Sequence, residues 1–361
     1  MTHSLKYIRW LVALGLFMLS TSIAHADAPK VIRMVFPGVG VGNRPVTGGS
    51  TVSTMHLKGM LEDEFKADGI QINWSFLRGA GPATNELYAN GLADFSLLGD
   101  LPSIIGHSGG LKTRVLAATA IRGNTYIFVP TGSQIQSVKD LRGKRVAIFK
   151  GTNIQLTANK ILEKFGLKES DIRAINMDSA TAKAAMATGD IDAAFGWTEY
   201  LSLRDQGLAR MIYSTDTSDP FSYRHCSFIG SEEFINKYPE ITERVVKTLV
   251  KAAKWQSDQD ANPAAAFQLW TRSGVTFANF KEDQGSSSLK VLSSPLVDEY
   301  LISQYKKNIE EAKRFGLIRN TFSFDEWYEP KFLQQALKEL NLENYWVPYG
   351  ADGKPKSVPK T

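Results

Sequence analysis

The residues that could do chemistry are few. Histidines stand at positions 3, 25, 56, 107 and 225, with no metal-ligand spacing and no His-Glu-x-x-His among them. The single cysteine, Cys226, follows His225, which in principle offers a thiolate nucleophile and its partner base. Adjacent residues on a strand point to opposite faces, so the pair is poorly arranged, and a buried, inert cysteine is the better reading. No Gly-x-Ser-x-Gly elbow and no Walker loop is present. What remains is a set of loops: Gly79-Ala80-Gly81-Pro82, Gly99-Asp100-Leu101-Pro102, Gly151-Thr152-Asn153 and Trp197-Thr198-Glu199-Tyr200. A Gly-Thr-Asn helix start leaves backbone N–H groups aimed at whatever lies above it, which suits an anion. Ordinary N-capping by Thr152 explains the same residues equally well.

The elements that must hold these loops come next. Ile72 to Leu77 alternates apolar and polar residues, as a strand with unequal faces does. Pro82 opens a helix to about Asn90, Gly91 ends it, and Ala93 to Leu98 is a second strand, so this stretch is one βαβ unit. A second unit runs from Ile172 through a helix at Ser179 to Thr188, a terminating Gly189 and a strand from Asp192. Ala89-x-Gly91-x-x-Asp94 and Ala187-x-Gly189-x-x-Asp192 align without a gap, which suggests two similar α/β lobes facing each other; a common αβ turn is the alternative.

Further strands are expected at Val31 to Phe36, Arg114 to Ala120, Tyr126 to Val129 and Met211 to Tyr213, and Ser137 to Ile148 reads as a helical turn and a strand. Ile121 to Asn124 and Ser214 to Tyr223 are the candidate crossings between lobes. The helix after the first strand carries Leu57, Met60, Leu61 and Phe65 on one face. Before it, the loop from Gly38 to Ser50, with Asn43 at its centre, lacks the dinucleotide fingerprint and is either a flexible lip to a cleft or a long surface loop. From Phe234 onward the apolar stripes are helical, and residues 350–361, rich in Gly, Pro and Lys, read as a disordered tail.

The 361 residues have ordinary globular composition, 43% hydrophobic and 22% charged, enough for two domains. Lys6 and Arg9 precede an apolar run from Trp10 to Ile23, then Ala24-His25-Ala26, the pattern of a secretory signal cleaved after Ala26. Removing residues 1–26 takes away two basic and no acidic residues, so the formal charge of +5 becomes +3. Export and the lack of a dense Lys/Arg run argue against nucleic acid. One cysteine means no internal disulfide.

At this point a resemblance becomes specific. Ser137-Val138-Lys139-Asp140-Leu141-Arg142-Gly143-Lys144-Arg145-Val146-Ala147 followed by Gly151-Thr152, with Asn90-Gly91-x-Ala93-Asp94-Phe95 and Gly99-Asp100-x-Pro102, resembles the periplasmic solute-binding proteins of the nitrate/sulfonate/taurine ABC importer family. The aliphatic-sulfonate branch is the nearest. The likeness is good from Val31 to about Tyr238 and weaker through the helical tail. It implies an α/β periplasmic-binding-protein fold of type II, with two lobes joined by two crossings, a ligand cleft between them and a helical C-terminal region. The lobes would be 27–122 with 224–349, and 123–223.

The resemblance further implies a periplasmic monomer without cofactor or metal. It would take a small organic anion (sulfonate, sulfate ester or related oxyanion) and deliver it to a membrane permease. Carried over by position, the ligand site comprises Gly81 and Pro82, then Gly99, Asp100 and Leu101, Thr152 and Asn153, and Trp197 with Glu199. Arg224 lies in the return segment; Arg122 at the first crossing and Asn43 in the glycine-rich loop complete the set. Two departures bear on ligand identity: Leu101 replaces a usual Thr, and the Gly38–Ser50 loop is long. Two alternatives share the scaffold. Sulfinate-cleaving desulfinases are cytoplasmic and carry their cysteine early in the chain, where this sequence has none. Receptors for a pyrimidine-type vitamin precursor carry a cysteine-rich motif that is missing here.

Overall fold

The computed structural model describes residues 28–215 and 222–357. The expected signal segment, most of the expected Ser214–Tyr223 crossing and residues 358–361 lie outside them. Among the described residues, ten strands form two five-stranded sheets. The first holds β1 (Val31–Phe36), β2 (Gln71–Phe76), β3 (Phe95–Gly99), β4 (Thr113–Gly123) and β10 (Arg224–Ser231), in the order β2-β1-β3-β10-β4. The second holds β5 (Tyr126–Pro130), β6 (Arg145–Ile148), β7 (Arg173–Asn176), β8 (Ala193–Gly196) and β9 (Ala209–Ser214), in the order β7-β6-β8-β5-β9. The two orders are equivalent. Each sheet has three parallel strands and, beside them, one antiparallel strand that arrives directly from the other sheet: β5 next to β8, and β10 next to β3. This is the expected two-lobed α/β architecture.

The gapless sequence repeat has a physical cause. Asp94 accepts from the backbone N of Arg33 (2.7 Å) and from its Nε (3.0 Å), while the same guanidinium reaches Gly91 O. Asp192 accepts from Arg145 N (2.7 Å) and Nη2 (2.8 Å), and Arg145 Nη2 reaches Gly189 O (2.9 Å). In each lobe an arginine on the second strand of the sheet order, β1 or β6, ties down the glycine that ends the helix before β3 or β8 and the carboxylate three residues beyond it. The repeated Gly-x-x-Asp is therefore a structural clasp, and the two aspartates stand away from the loops that face the cleft.

Several boundaries differ from expectation. β4 continues through Gly123, so only Asn124 and Thr125 separate it from β5. The single helix expected over Leu57 to Phe65 is two, Thr51–Leu57 and Met60–Phe65, because Gly59 adopts a left-handed φ of 64°. Asp100 opens a helix, Asp100–Ser108, that periodicity did not reveal. Residues 350–357, expected as a disordered tail, fold back: Gly350 N donates to Lys354 O (2.9 Å) and Lys356 N to Pro348 O (2.8 Å).

The C-terminal helices behave as their stripes require. Val245, Val246, Leu249, Val250 and Ala253 are buried on the Pro239–Ser257 helix, and Leu301, Ile309 and Ala312 on the Glu299–Arg314 helix. Both feed the core of the first sheet. A separate apolar cluster of Leu57, Phe267, Trp270 and Phe280 seats a helix, Phe277–Gln284, that reaches across to the second lobe. There Asp283 accepts from Tyr126 Oη (2.6 Å) and Thr198 Oγ1 (2.7 Å), and Glu282 pairs with Arg204.

Candidate functional site

A cavity of about 360 Å³ opens between the lobes at the strand ends. Of the twelve site residues expected from sequence, eight line it: Asn43, Gly81, Gly99, Thr152, Asn153, Trp197, Glu199 and Arg224. The other four do not. Pro82 packs toward Gly151, where a Cβ would sit 2.9 Å from its Cγ. Leu101 is fully buried in the first core, so its replacement of Thr changes packing. Arg122, at a left-handed φ of 57°, lies 4.5 Å from the Tyr300 ring centroid and 4.4 Å from that of Tyr349, a cation–π sandwich outside the cavity.

Asp100 is the fourth, and it is buried. Its Oδ1 accepts from Leu101 N (2.7 Å), and Oδ2 accepts from His225 N (3.2 Å) and Asn308 Nδ2 (3.1 Å). Burial pushes its carboxyl up to about 6, while Lys160 and the two backbone donors pull the other way. Burial also pushes the neighbouring His225 down to about 3, helped by Lys160, Arg122 and Arg224.

Asp100 holds its proton more tightly in the fold than the usual carboxylate, so its contribution to stability falls as pH rises from roughly 4 through about 6. His225, held neutral, contributes above its unfolded value near 6.5 and loses that as pH falls toward about 3. Between roughly pH 4 and 6 the two slopes oppose. Asp100→Asn removes one of them. Its stability is therefore expected to fall relative to wild type as pH drops from 6.5 to 4, by up to ~1.4 kcal/mol per pH unit, and its melting temperature to fall with it. A pH-independent difference between the two melting curves would refute this.

Two helix starts face the cavity from opposite lobes. The Ala80–Ala89 helix and the Asn153–Lys164 helix have no side-chain cap. Thr152, whose capping is the alternative reading, instead donates Oγ1 to Phe149 O (2.7 Å). The starts are close: a Cβ on Gly81 would lie 3.6 Å from Gly151 O. A third helix start, at Ser179, also lines the cavity, but Asp178 caps it by accepting from Thr181 N (2.9 Å) and is paired with Arg78 (3.3 Å). That end is already neutralised.

The charged walls sort in the same way. Arg78 is matched by Asp178, and Asp283 is held by two hydroxyls. Arg224 donates Nε to Asn124 O (3.0 Å) and Thr125 Oγ1 (3.1 Å), with its guanidinium over the Trp197 ring at 5.7 Å. It has no carboxylate partner among the described residues, and neither does Lys183. Glu199 is the cavity acid without such a tie. Cys226, expected to be buried and inert, lines the cavity with Asn153 Nδ2 3.8 Å from its sulfur, and burial pushes its thiol up to about 12. It carries no thiolate near neutral pH.

Sequence reasoning missed one wall altogether. Ser273, Val275, Phe280 and Asp283 come from the C-terminal region and close one side against the glycine-rich loop. Val41 N donates to Ser273 O (2.8 Å), and a Cβ on Gly48 would sit 2.7 Å from Phe280 Cζ. The Gly38–Ser50 loop is thus a packed lip. Nothing local in Phe277 to Asp283 beyond helical periodicity signalled this placement.

Comparisons with known proteins agree with the architecture. A Bacillus subtilis (strain 168) protein named for the binding of aliphatic sulfonates is 31% identical over 204 residues, 56% of this chain and 60% of that protein, so the match spans less than two thirds of its length. The solved periplasmic sulfonate-binding protein SsuA of Methylobacillus flagellatus KT is similar at 28% identity and a TM-score of 0.75, covering 89% of this chain and 98% of the other. The desulfurization enzyme DSZB shares the fold at 18% identity and a TM-score of 0.63, covering 86% and 99%. The NMT1/THI5-like family model matches residues 65–266, more than half of the sequence, and the chain belongs to that family.

Proposed function

We propose that this chain is the periplasmic solute-binding component of an ABC importer, exported with cleavage after Ala26. In this reading a monomer with lobes 27–122 plus 224–349 and 123–223 closes on a small organic anion, a sulfonate or related oxyanion, and delivers it to a membrane permease. The observation that carries the proposal is the meeting of two uncapped helix starts with Arg224, a cation without a carboxylate partner among the described residues, in one interlobe cavity. Each helix start contributes about 0.3–1 kcal/mol toward an anion when exposed, and up to ~2 when partly buried. The names of the sulfonate-binding relatives support the same class. A desulfinase-like chemistry has less support: the one cysteine in the cavity is held as a thiol.

The body of the ligand would lie against Trp197 and the apolar lip of Phe36, Val39, Val41, Val275 and Phe280. Calorimetric titration with nitrate, taurine and methane-, butane- and hexanesulfonate tests both halves of the reading. Affinity is expected to rise along the alkyl series, by up to ~0.8 kcal/mol for each buried methylene. Phe280→Ala should weaken hexanesulfonate more than methanesulfonate. A ligand at a hundredfold its dissociation constant adds roughly 2.7 kcal/mol of stability, so a thermal-shift screen would register it. Response to neutral or cationic solutes, and to no oxyanion, would end the anion assignment.

A further inference from the structure

The Asn153–Lys164 helix touches the first lobe in two places. Its first turn lines the cavity. Two turns on, Lys160 and then Glu163 lie against the Glu299–Arg314 helix, which is packed on the first core. Lys160 Nζ donates to Asn308 Oδ1 (2.6 Å) and pairs with Glu311 Oε2 (2.9 Å), with its side chain only 9% exposed. Asn308 is buried, and its Nδ2 donates to Asp100 Oδ2 (3.1 Å). A carboxylate only accepts and an ammonium only donates, so the amide has one workable orientation: nitrogen toward Asp100, oxygen toward Lys160. At the rim, Arg314 Nη2 donates to Glu163 Oε2 (2.8 Å).

We propose that the Lys160–Asn308–Asp100 relay, flanked by Arg314–Glu163, is a latch for the closed form, so that Lys160 and Asn308 set ligand affinity without touching ligand. The proposal rests on the two-lobed binding reading above. It also gives Asp100, which stands behind the interlobe cavity's lining, a role: it aims the Asn308 amide. One helix carries both the ligand-facing Asn153 and the latch lysine, so whatever draws Asn153 inward seats Lys160. The chemistry of the latch suits reversibility. Burying the ammonium costs solvation that Asn308 and Glu311 offset, and on opening water recovers both partners. An apolar contact of the same area would resist opening, because exposing it is unfavourable.

The test uses the mature protein, spin-labelled at the exposed positions Lys66 and Lys139, with hexanesulfonate as probe. Lys160→Met is expected to lower the closed population seen in the distance distribution and to weaken hexanesulfonate about tenfold, with little change in the unliganded melting temperature. Arg314→Glu should weaken it two- to fivefold, as fits a half-exposed pair, and Glu163→Arg added to it should restore affinity. Should Lys160→Met fail to fold, that charge-reversal cycle carries the test. Unchanged closure and affinity in the variants, or a lower melting temperature with affinity unchanged, would overturn the latch. If wild type ignores every sulfonate while the closed population still falls in Lys160→Met, the anion reading fails and the latch stands.

Discussion

Arg224→Met is expected to weaken oxyanion binding at least about thirtyfold while leaving the fold intact. The guanidinium is held in place by Asn124 O and Thr125 Oγ1 and lies over Trp197, so it is pre-positioned and loses little freedom on meeting an anion. A hydrogen bond to a charged group contributes about 1.5–3 kcal/mol, and truncating one partner of a buried charged pair costs roughly 2–5 kcal/mol or more. That is a loss of between about thirtyfold and several thousandfold in affinity at ~1.4 kcal/mol per factor of ten. Arg224→Lys keeps the charge but gives up the planar fork and the stack, and should fall between the two. The check is calorimetric titration of all three proteins with hexanesulfonate, alongside their melting temperatures. Wild-type affinity in Arg224→Met would remove Arg224 from the site.

Gly99→Val is expected to block closure. Gly99 ends β3 with an extended backbone, φ −65° and ψ 157°, which valine adopts without strain. Its added Cβ would lie 2.9 Å from Asn153 Nδ2 and 3.2 Å from Asn153 Cβ, and Asn153 belongs to the opposite lobe. The collision therefore exists only when the lobes meet, and it involves the root of the side chain as well as its flexible end. Ligand affinity should drop at least tenfold while the unliganded melting temperature stays near wild type, with Gly99→Ala showing a smaller loss. A large drop in the unliganded melting temperature would mean that the clash is felt within the first lobe, and full affinity would mean that Asn153 yields.

Much of the architecture is legible from local pattern. The Ser179–Thr188 helix occupies the residues that its spacing marks, with Asp178 as cap and Gly189 as its left-handed end. The equivalence of the two lobes is visible in Gly91-x-x-Asp94 and Gly189-x-x-Asp192, because each clasp is needed once per lobe. Where the cavity opens also follows from sequence, since loops at the carboxyl ends of parallel strands share one edge. These features depend on period, capping and turn chemistry, all of which act over a few neighbouring residues.

The directions of individual side chains were settled by partners far away in the chain. Asp100 and Arg224 look alike in sequence, as a charge beside a strand end. Asp100 turns into the protein because Asn308, 208 residues on, donates to it, whereas Arg224 is anchored at the crossing and faces the cavity. Arg122 is drawn away by Tyr300 and Tyr349, and Cys226 is left at the wall because Asn153 from the other lobe comes down beside it. Phe280 and Asp283 enter the site only because a helix seated on Trp270 spans the gap between lobes. The sequence alone determined the two α/β lobes and the clasp repeated in each, but neither the Asp100–Ser108 helix nor strand β10. Only the tertiary structure decided which charges face the cavity, because a buried polar group turns toward whichever distant partner satisfies it.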